Sequence, residues 1–202
     1  MKELLAVLGG YLLGSMPFGY WLPLVLRGED IRARGSGNVG ATNVFRVYGR
    51  WLGSAVALLD IAKGFGAAML GLWAGGALVG VLAAGAAMLG HWRPVFLRFE
   101  KGGKMVATAG GATFALAPLV AFCCVGVWLL VFFVTRYASV ASIATAVTLV
   151  VFAVAFGYSW PVVVFAAAGA MAILLLHSHN VRRLAAGTEH RFELSLRKTG
   201  IH

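Results

Sequence analysis

The stretch RARGSGNVGATNVFR, residues 32–46, decides the fold because it can be read in two ways. Gly35-x-Gly37-x-x-Gly40 has the spacing of a dinucleotide-binding turn, and Arg32, Arg34 and Arg46 surround it. Such a turn needs a strand before it, a helix after it and a parallel sheet to stand on. Asp60 even lies about 20 residues on, where a ribose-binding acid would be expected. Yet Asp60 sits inside an apolar run, and no parallel sheet can be assembled from this chain. The nucleotide reading fails. What survives is the physics both sites share: glycines that let a backbone turn its N–H groups around phosphate oxygens, and arginines that supply counter-charge.

Composition excludes a soluble domain. Hydrophobic residues make up 60% of the 202 positions and charged residues only 12%, and the apolar residues come in runs long enough to cross a hydrocarbon core. The expected fold is all-α, a polytopic membrane protein of one domain over residues 1–202. About seven spans are expected, near 3–26, 51–72, 75–91, 105–117, 119–135, 138–157 and 161–178. The fourth is short, glycine-rich and a candidate broken span. No cleavable signal peptide is expected, since the first apolar run continues to about Leu26. Cys123 and Cys124 are adjacent within an apolar run and read as packing residues, and no metal site is expected.

A net charge of +10 raises the question of nucleic acid, but the charges lie in short loops between apolar runs. Placing the N-terminus outside puts fifteen of the seventeen basic residues on the inner face, in loop 27–50, loop 92–104, Arg136 and tail 179–202. Only Lys2 is then outside, and Lys63 lies within a span. The expectation is therefore N-out, C-in, no nucleic-acid partner, and every glycine-rich polar segment on the cytoplasmic face. Trp21, Trp51, Trp73, Trp92 and Trp160 near span ends fit an aromatic belt.

Two further segments on that face repeat the theme. EKGGKMVATAGG, residues 100–111, sets Lys101 and Lys104 around Gly102 and Gly103 just before a span begins. It resembles a nucleotide-triphosphate loop only in part, because Met105 stands where a magnesium-binding hydroxyl belongs. Amides at a helix start and two ammonium groups still suit a phosphate. HSHNVRRLAAGTEHR, residues 177–191, places His177 and Asn180 three apart on one helix face, and a turn is expected near Gly187. Within the membrane, Asp60 and Lys63 are three apart, and both a functional and a self-neutralising structural reading stay open.

Together the segments resemble the PlsY family, bacterial membrane acyltransferases that use acyl phosphate to acylate glycerol 3-phosphate. GSGNVGATNVFR is similar to its first motif, GHWRPVFLRFEKGGKMVAT to its second and HSHNVRRLAAGTE to its third, in order and over essentially the full chain. The family usually has phenylalanine-proline where this chain reads Arg93-Pro94, and glycine at Met105; Glu100 is an extra residue. The resemblance implies seven helices in the bacterial cytoplasmic membrane, acyl transfer to the sn-1 hydroxyl, and lysophosphatidic acid and inorganic phosphate as products. It also implies no cofactor, coenzyme A or acyl carrier protein.

That chemistry suits the residues. Two phosphate anions call for two cationic, glycine-lined cradles, and an acyl chain calls for a groove worth about 0.8 kcal/mol per buried methylene. The candidate catalytic residues are His177, Ser36, Lys104 and Arg46. The candidate substrate-binding residues are Gly35, Gly37, Asn38, Gly40, Thr42, Asn43, Lys101, Gly102, Gly103, Asn180, Arg183 and Glu189. Ser36 and Asn38 would bind the donor phosphate, and Arg46, Lys104 and Asn180 would clamp glycerol 3-phosphate or the departing phosphate. The base is His177 or a phosphate oxygen of the donor. Ser36 as a covalent nucleophile has no visible triad. An anion transporter would need polar groups at the midplane of several helices and an internal repeat; only Asp60 and Lys63 meet the first condition.

Overall fold

The computed structural model describes residues 1–192 and is all-helical, with no strand among the described residues. The last part of the tail, with Arg197 and Lys198, lies outside the described residues. The helices are α1 (Lys2–Gly14), α2 (Phe18–Arg27), α3 (Ala41–Tyr48), α4 (Arg50–Trp92), α5 (Val106–Leu116), α6 (Pro118–Thr135), α7 (Ala138–Ala155), α8 (Trp160–Leu176) and α9 (Ser178–Ala185). Four helical segments are long and apolar enough to cross a membrane: Lys2–Arg27, Arg50–Leu97, Pro118–Thr135 and Ala138–Ala155. The pair α8–α9, bent by 50°, makes a fifth.

The helices fall near the expected spans, with two differences of local cause and the fourth as short as expected. The span near 3–26 breaks between α1 and α2, because Pro17 lacks an N–H and disfavours helical backbone at Met16. The spans near 51–72 and 75–91 join in α4, whose 43 residues would reach about 65 Å if straight, about twice the ~30 Å hydrocarbon core. Non-helical backbone at Gly75 and Gly76 reverses it, with φ +73° at Gly76, and the limbs pack back to back so that Lys63 meets His91 at 2.8 Å. The fourth, α5, has 11 residues, about 16 Å, too short to cross alone. Loop 27–50 is more than a polar connection. It contains α3, whose eight residues bury Asn43 and Val44.

Packing follows membrane rules. The fully buried apolar residues are largely alanine, such as Ala67, Ala68, Ala83, Ala84, Ala87, Ala112 and Ala141, while Leu58, Phe122, Leu130, Val151 and Leu175 face outward. Lipid tails give helices no hydrophobic reason to associate, so close contact comes from small residues that let backbones approach.

The polar segments collect at one end of the bundle. Asn38 reaches Gly102, Lys104 reaches Asn180, Ser139 reaches Glu189, and the Phe192 amide donates to the Arg136 carbonyl at 2.9 Å. Loop 27–50, loop 92–104, the α6–α7 turn and the described tail thus form one polar face.

Candidate functional site

The first loop is built by its own asparagines. Asn43 Oδ1 accepts from the Ser36 amide at 2.9 Å, and its Nδ2 donates to the carbonyls of Arg34 at 3.0 Å and Asn38 at 2.9 Å. Asn38 Oδ1 accepts from the Gly40 amide at 2.8 Å, and its Nδ2 donates to the Gly102 carbonyl at 3.1 Å. Both amides thus brace the loops, and both residues also line the cavity described below, where Asn38 keeps one Nδ2–H unspent. Positive φ at Gly35 (57°) and Gly37 (69°) lets the chain double back toward Asn43. Neither glycine lines the cavity described below. Ser36, Gly40, Thr42 and Arg46 do.

The second loop is held from beneath. Gly102 and Gly103 donate to the carbonyls of Trp92 (2.8 Å) and His91 (3.0 Å), and a Cβ at Gly103 would strike the His91 ring. The two glycines therefore pack against α4 and do not line the cavity, and Lys101 is exposed away from it. Lys104 does line it, with its ammonium donating to Asn180 Oδ1. Burial, then the nearby Arg183 charge, lowers the Lys104 pKa to about 8.

The third segment turns at Gly187, φ +68°, and brings Glu189 back against α9. Glu189 Oε1 accepts from Asn180 Nδ2 (2.6 Å) and Ser139 Oγ (2.8 Å), and Oε2 accepts from Arg183 Nε (2.7 Å). Burial raises the Glu189 pKa, but hydrogen bonds from Asn180, Arg183 and Ser139 outweigh it, and the net shift is downward. With both oxygens engaged, Glu189 organises the site. It orients Asn180, which presents its carbonyl oxygen to Lys104. His177 is buried where α8 bends into α9, and its Nδ1 meets the Ile173 carbonyl at 2.8 Å. A carbonyl can only accept, so Nδ1 carries a proton, and burial keeps the ring neutral with a lone pair on Nε2.

These groups border one cavity of about 530 Å³. Its polar mouth holds Ser36, Arg46, Lys104, His177, Asn180 and Arg183. It continues inward between α4, α5, α6 and α7 past Ala57, Phe114, Trp128, Leu129 and Leu149. Burial lowers the Arg46 pKa, opposed by Glu189, but an arginine keeps its charge through such shifts. Among the described residues no His, Cys, Asp and Glu group could hold a metal ion.

Four residues here escaped sequence reasoning. Ser139 and Trp128 lie in ordinary apolar spans, and Phe192 follows the third motif with no signal of its own. His91 had one: a hairpin folded at Gly75-Gly76 sets position 91 opposite position 60. His91 Nδ1 lies 3.7 Å from Asp60 Oδ1.

Fold and cavity define an integral membrane protein with a basic mouth and an apolar groove. Residues 4–187 match the model of the family described as Glycerol-3-phosphate acyltransferase. A Glycerol-3-phosphate acyltransferase of Synechococcus sp. (strain JA-3-3Ab) is 44% identical over 95% of this chain and 94% of its own. One of Aquifex aeolicus is 44% identical over 95% of this chain and 100% of its own. The crystal structure of PlsY (YgiH), an integral membrane glycerol 3-phosphate acyltransferase, in its glycerol 3-phosphate form superposes with a TM-score of 0.91. It is 42% identical, and the match covers 96% of each chain. A second crystal structure, the lysophosphatidic acid form, gives 0.89 at 40% identity over 96% of each chain. The chain belongs to the glycerol-3-phosphate acyltransferase family.

Proposed function

We propose that the chain transfers a fatty acyl group from acyl phosphate to the sn-1 hydroxyl of glycerol 3-phosphate, giving lysophosphatidic acid and inorganic phosphate. The observation that carries this reading is the joining of a basic mouth to an apolar groove in one cavity. A soluble phosphate ester meets a lipid-soluble donor there. Its family membership and the substrate and product forms of the similar crystal structures support the same reading.

Arg46 and Lys104, with Asn180 steering the ammonium, bind the phosphate of glycerol 3-phosphate. Ser36 and the first amides of α3, beside Gly40 and Thr42, take the donor phosphate. The glycerol hydroxyl oxygen attacks the acyl carbonyl carbon, and the tetrahedral oxyanion is held by loop amides and a cation. The carbon–oxygen bond to phosphate then breaks. Phosphate leaves with the electron pair, and the hydroxyl proton passes to His177 Nε2. No covalent enzyme intermediate and no cofactor enters. Arg183 and Glu189 set the geometry of Asn180.

The α1–α2 pair, the two limbs of α4, then α6, α7 and α8 make six crossings in the bacterial cytoplasmic membrane, and α5, too short alone, completes a seventh packed against α4 and α6. The N-terminus is outside and the polar face cytoplasmic, as the basic residues require. The purified protein in lipidic phase, given acyl phosphate and glycerol 3-phosphate, tests the reading. Phosphate release that depends on both substrates is expected. Folded protein that releases none, or that accepts only another acyl donor, refutes it.

A further inference from the structure

We propose that Phe192 is a positioning residue for Arg46, its ring face holding the guanidinium at the cavity mouth so that the N–H edges stay turned to a phosphate group. This rests on the reading of Arg46 as a phosphate ligand. Arg46 and Phe192 both line the cavity, and Arg46 Cζ lies 5.2 Å from the Phe192 ring centroid. The other cations of the mouth are steered through their donors: Arg183 Nε is spent on Glu189, and the Lys104 ammonium on Asn180. A contact with an aromatic face attracts the cation through the ring quadrupole and uses none of its in-plane N–H groups. It therefore fixes an arginine without competing with the anion.

Phe192 is itself fixed. Its amide donates to the Arg136 carbonyl at 2.9 Å, at the α6–α7 turn. Its ring stands edge-on to Phe45 at 5.6 Å and to Phe132 at 5.3 Å. Phe132 stacks on Trp128 at 4.9 Å, in the wall of the apolar groove. Aromatic pairs of this geometry resist sliding. The described tail thus crosses from Glu189 to Phe192 over the mouth and grips α3 at Phe45 and Arg46.

The test is steady-state kinetics of the full chain in lipid with both substrates, for Arg46→Ala, Phe192→Leu, Phe192→Tyr and the double variant R46A/F192L. Arg46→Ala is expected to raise the KM of one substrate, which identifies the phosphate it holds. Phe192→Leu should raise the KM of that same substrate about three- to thirtyfold, with kcat within about threefold. Phe192→Tyr, which keeps the face, should restore wild-type KM. In the Arg46→Ala background Phe192→Leu should add nothing. An unchanged KM in Phe192→Leu, or an effect that adds to Arg46→Ala, overturns the inference and leaves the reading of Arg46 standing. No KM change in Arg46→Ala removes both. If Phe192→Leu loses its unfolding transition, ring-fluorinated phenylalanines at 192 keep the shape and weaken the quadrupole. KM rising with fluorination supports the role, and a constant KM overturns it.

Discussion

Lys63 and His91 meet at 2.8 Å across the two limbs of α4 and close a buried cluster with Asp60. The Lys63 ammonium hydrogen-bonds to His91 Nδ1 and, at 2.9 Å, to the Met16 carbonyl, and it forms an ion pair with Asp60 Oδ1 at 2.8 Å. The Met16 carbonyl is available because Pro17 has interrupted the helix there. His91 in turn supports the second loop through its own carbonyl and ring. One ammonium therefore ties the broken first span, the hairpin and the loop that carries Lys104. Removing it leaves Asp60 buried and unpaired, so Lys63→Met should cost about 3–5 kcal/mol. Asp60→Asn together with Lys63→Met should recover most of that loss. Denaturant unfolding in detergent measures both, and a double variant as unstable as the single one would refute the pairing.

The spans and the three motifs were legible because hydropathy and charge act locally: an apolar run must be helical in lipid, and arginines must stay out of it. The site was legible in membership more than in role. Ser36, Arg46, Lys104, His177, Asn180 and Arg183 all reach the cavity. Asn38 and Asn43 reach it too but spend most of their amide groups on the loops, and Gly102 and Gly103 pack on His91. Hydrogen-bond partners of this kind depend on which loops meet, and one sequence does not state that. His91 needed the hairpin axis, and Phe192 needed the path of the tail.

Met105 occupies left-handed backbone, φ +70°, at the cap of α5. The resemblance gives glycine as the usual residue here, which fits that conformation. The methionine compensates by burial at 3% exposure, packed with Ala68, Ala109 and Ile173 in one cluster. Replacing it by alanine should cost about 2–5 kcal/mol through lost packing. Glycine loses the same packing but relieves the strained backbone, worth about 1 kcal/mol. The expected order of unfolding midpoints is wild type, Met105→Gly, Met105→Ala, and an inverted order of the two variants would contradict it.

Asn43 is 2% exposed and makes three hydrogen bonds within the first loop. Asn43→Asp keeps the acceptor for Ser36 but sets a carboxylate oxygen against two carbonyls. Each unsatisfied buried group costs about 1–3 kcal/mol. The loop should open, and substrate KM should rise at least tenfold while the helices remain folded by circular dichroism. A normal KM would mean that the loop holds its shape without this side chain.

Lys104 predicts a pH limb. Burial disfavours its ammonium, so the group is charged below about pH 8 and neutral above it. A phosphate monoester becomes a dianion above about pH 6. For glycerol 3-phosphate, kcat/KM should therefore be greatest between about pH 6 and 8 and fall as pH rises through 8. Bound dianion favours the ammonium, so the limb in kcat should lie at higher pH than the limb in kcat/KM. Lys104→Arg lowers the rate but keeps its charge, and the alkaline limb should vanish from its kcat/KM profile. A limb unchanged in that variant would assign it to another group.

His177 decides where the proton goes. Its Nδ1 is tied to the Ile173 carbonyl, which leaves Nε2 with a lone pair at the wall of the cavity where the glycerol hydroxyl would react. The acyl phosphate carries a good leaving group, so the main demand on the enzyme is to deprotonate a hydroxyl as it attacks. A positioned base contributes about 10²–10⁴-fold to such a step. His177→Ala should accordingly lower kcat by about that range with the KM of both substrates within a few-fold, since neither phosphate is held by the imidazole. Single-turnover measurement separates this from slow product release. A loss of only a few-fold in the chemical step would transfer the proton to a phosphate oxygen of the donor, leaving His177 as a prop for the bend between α8 and α9.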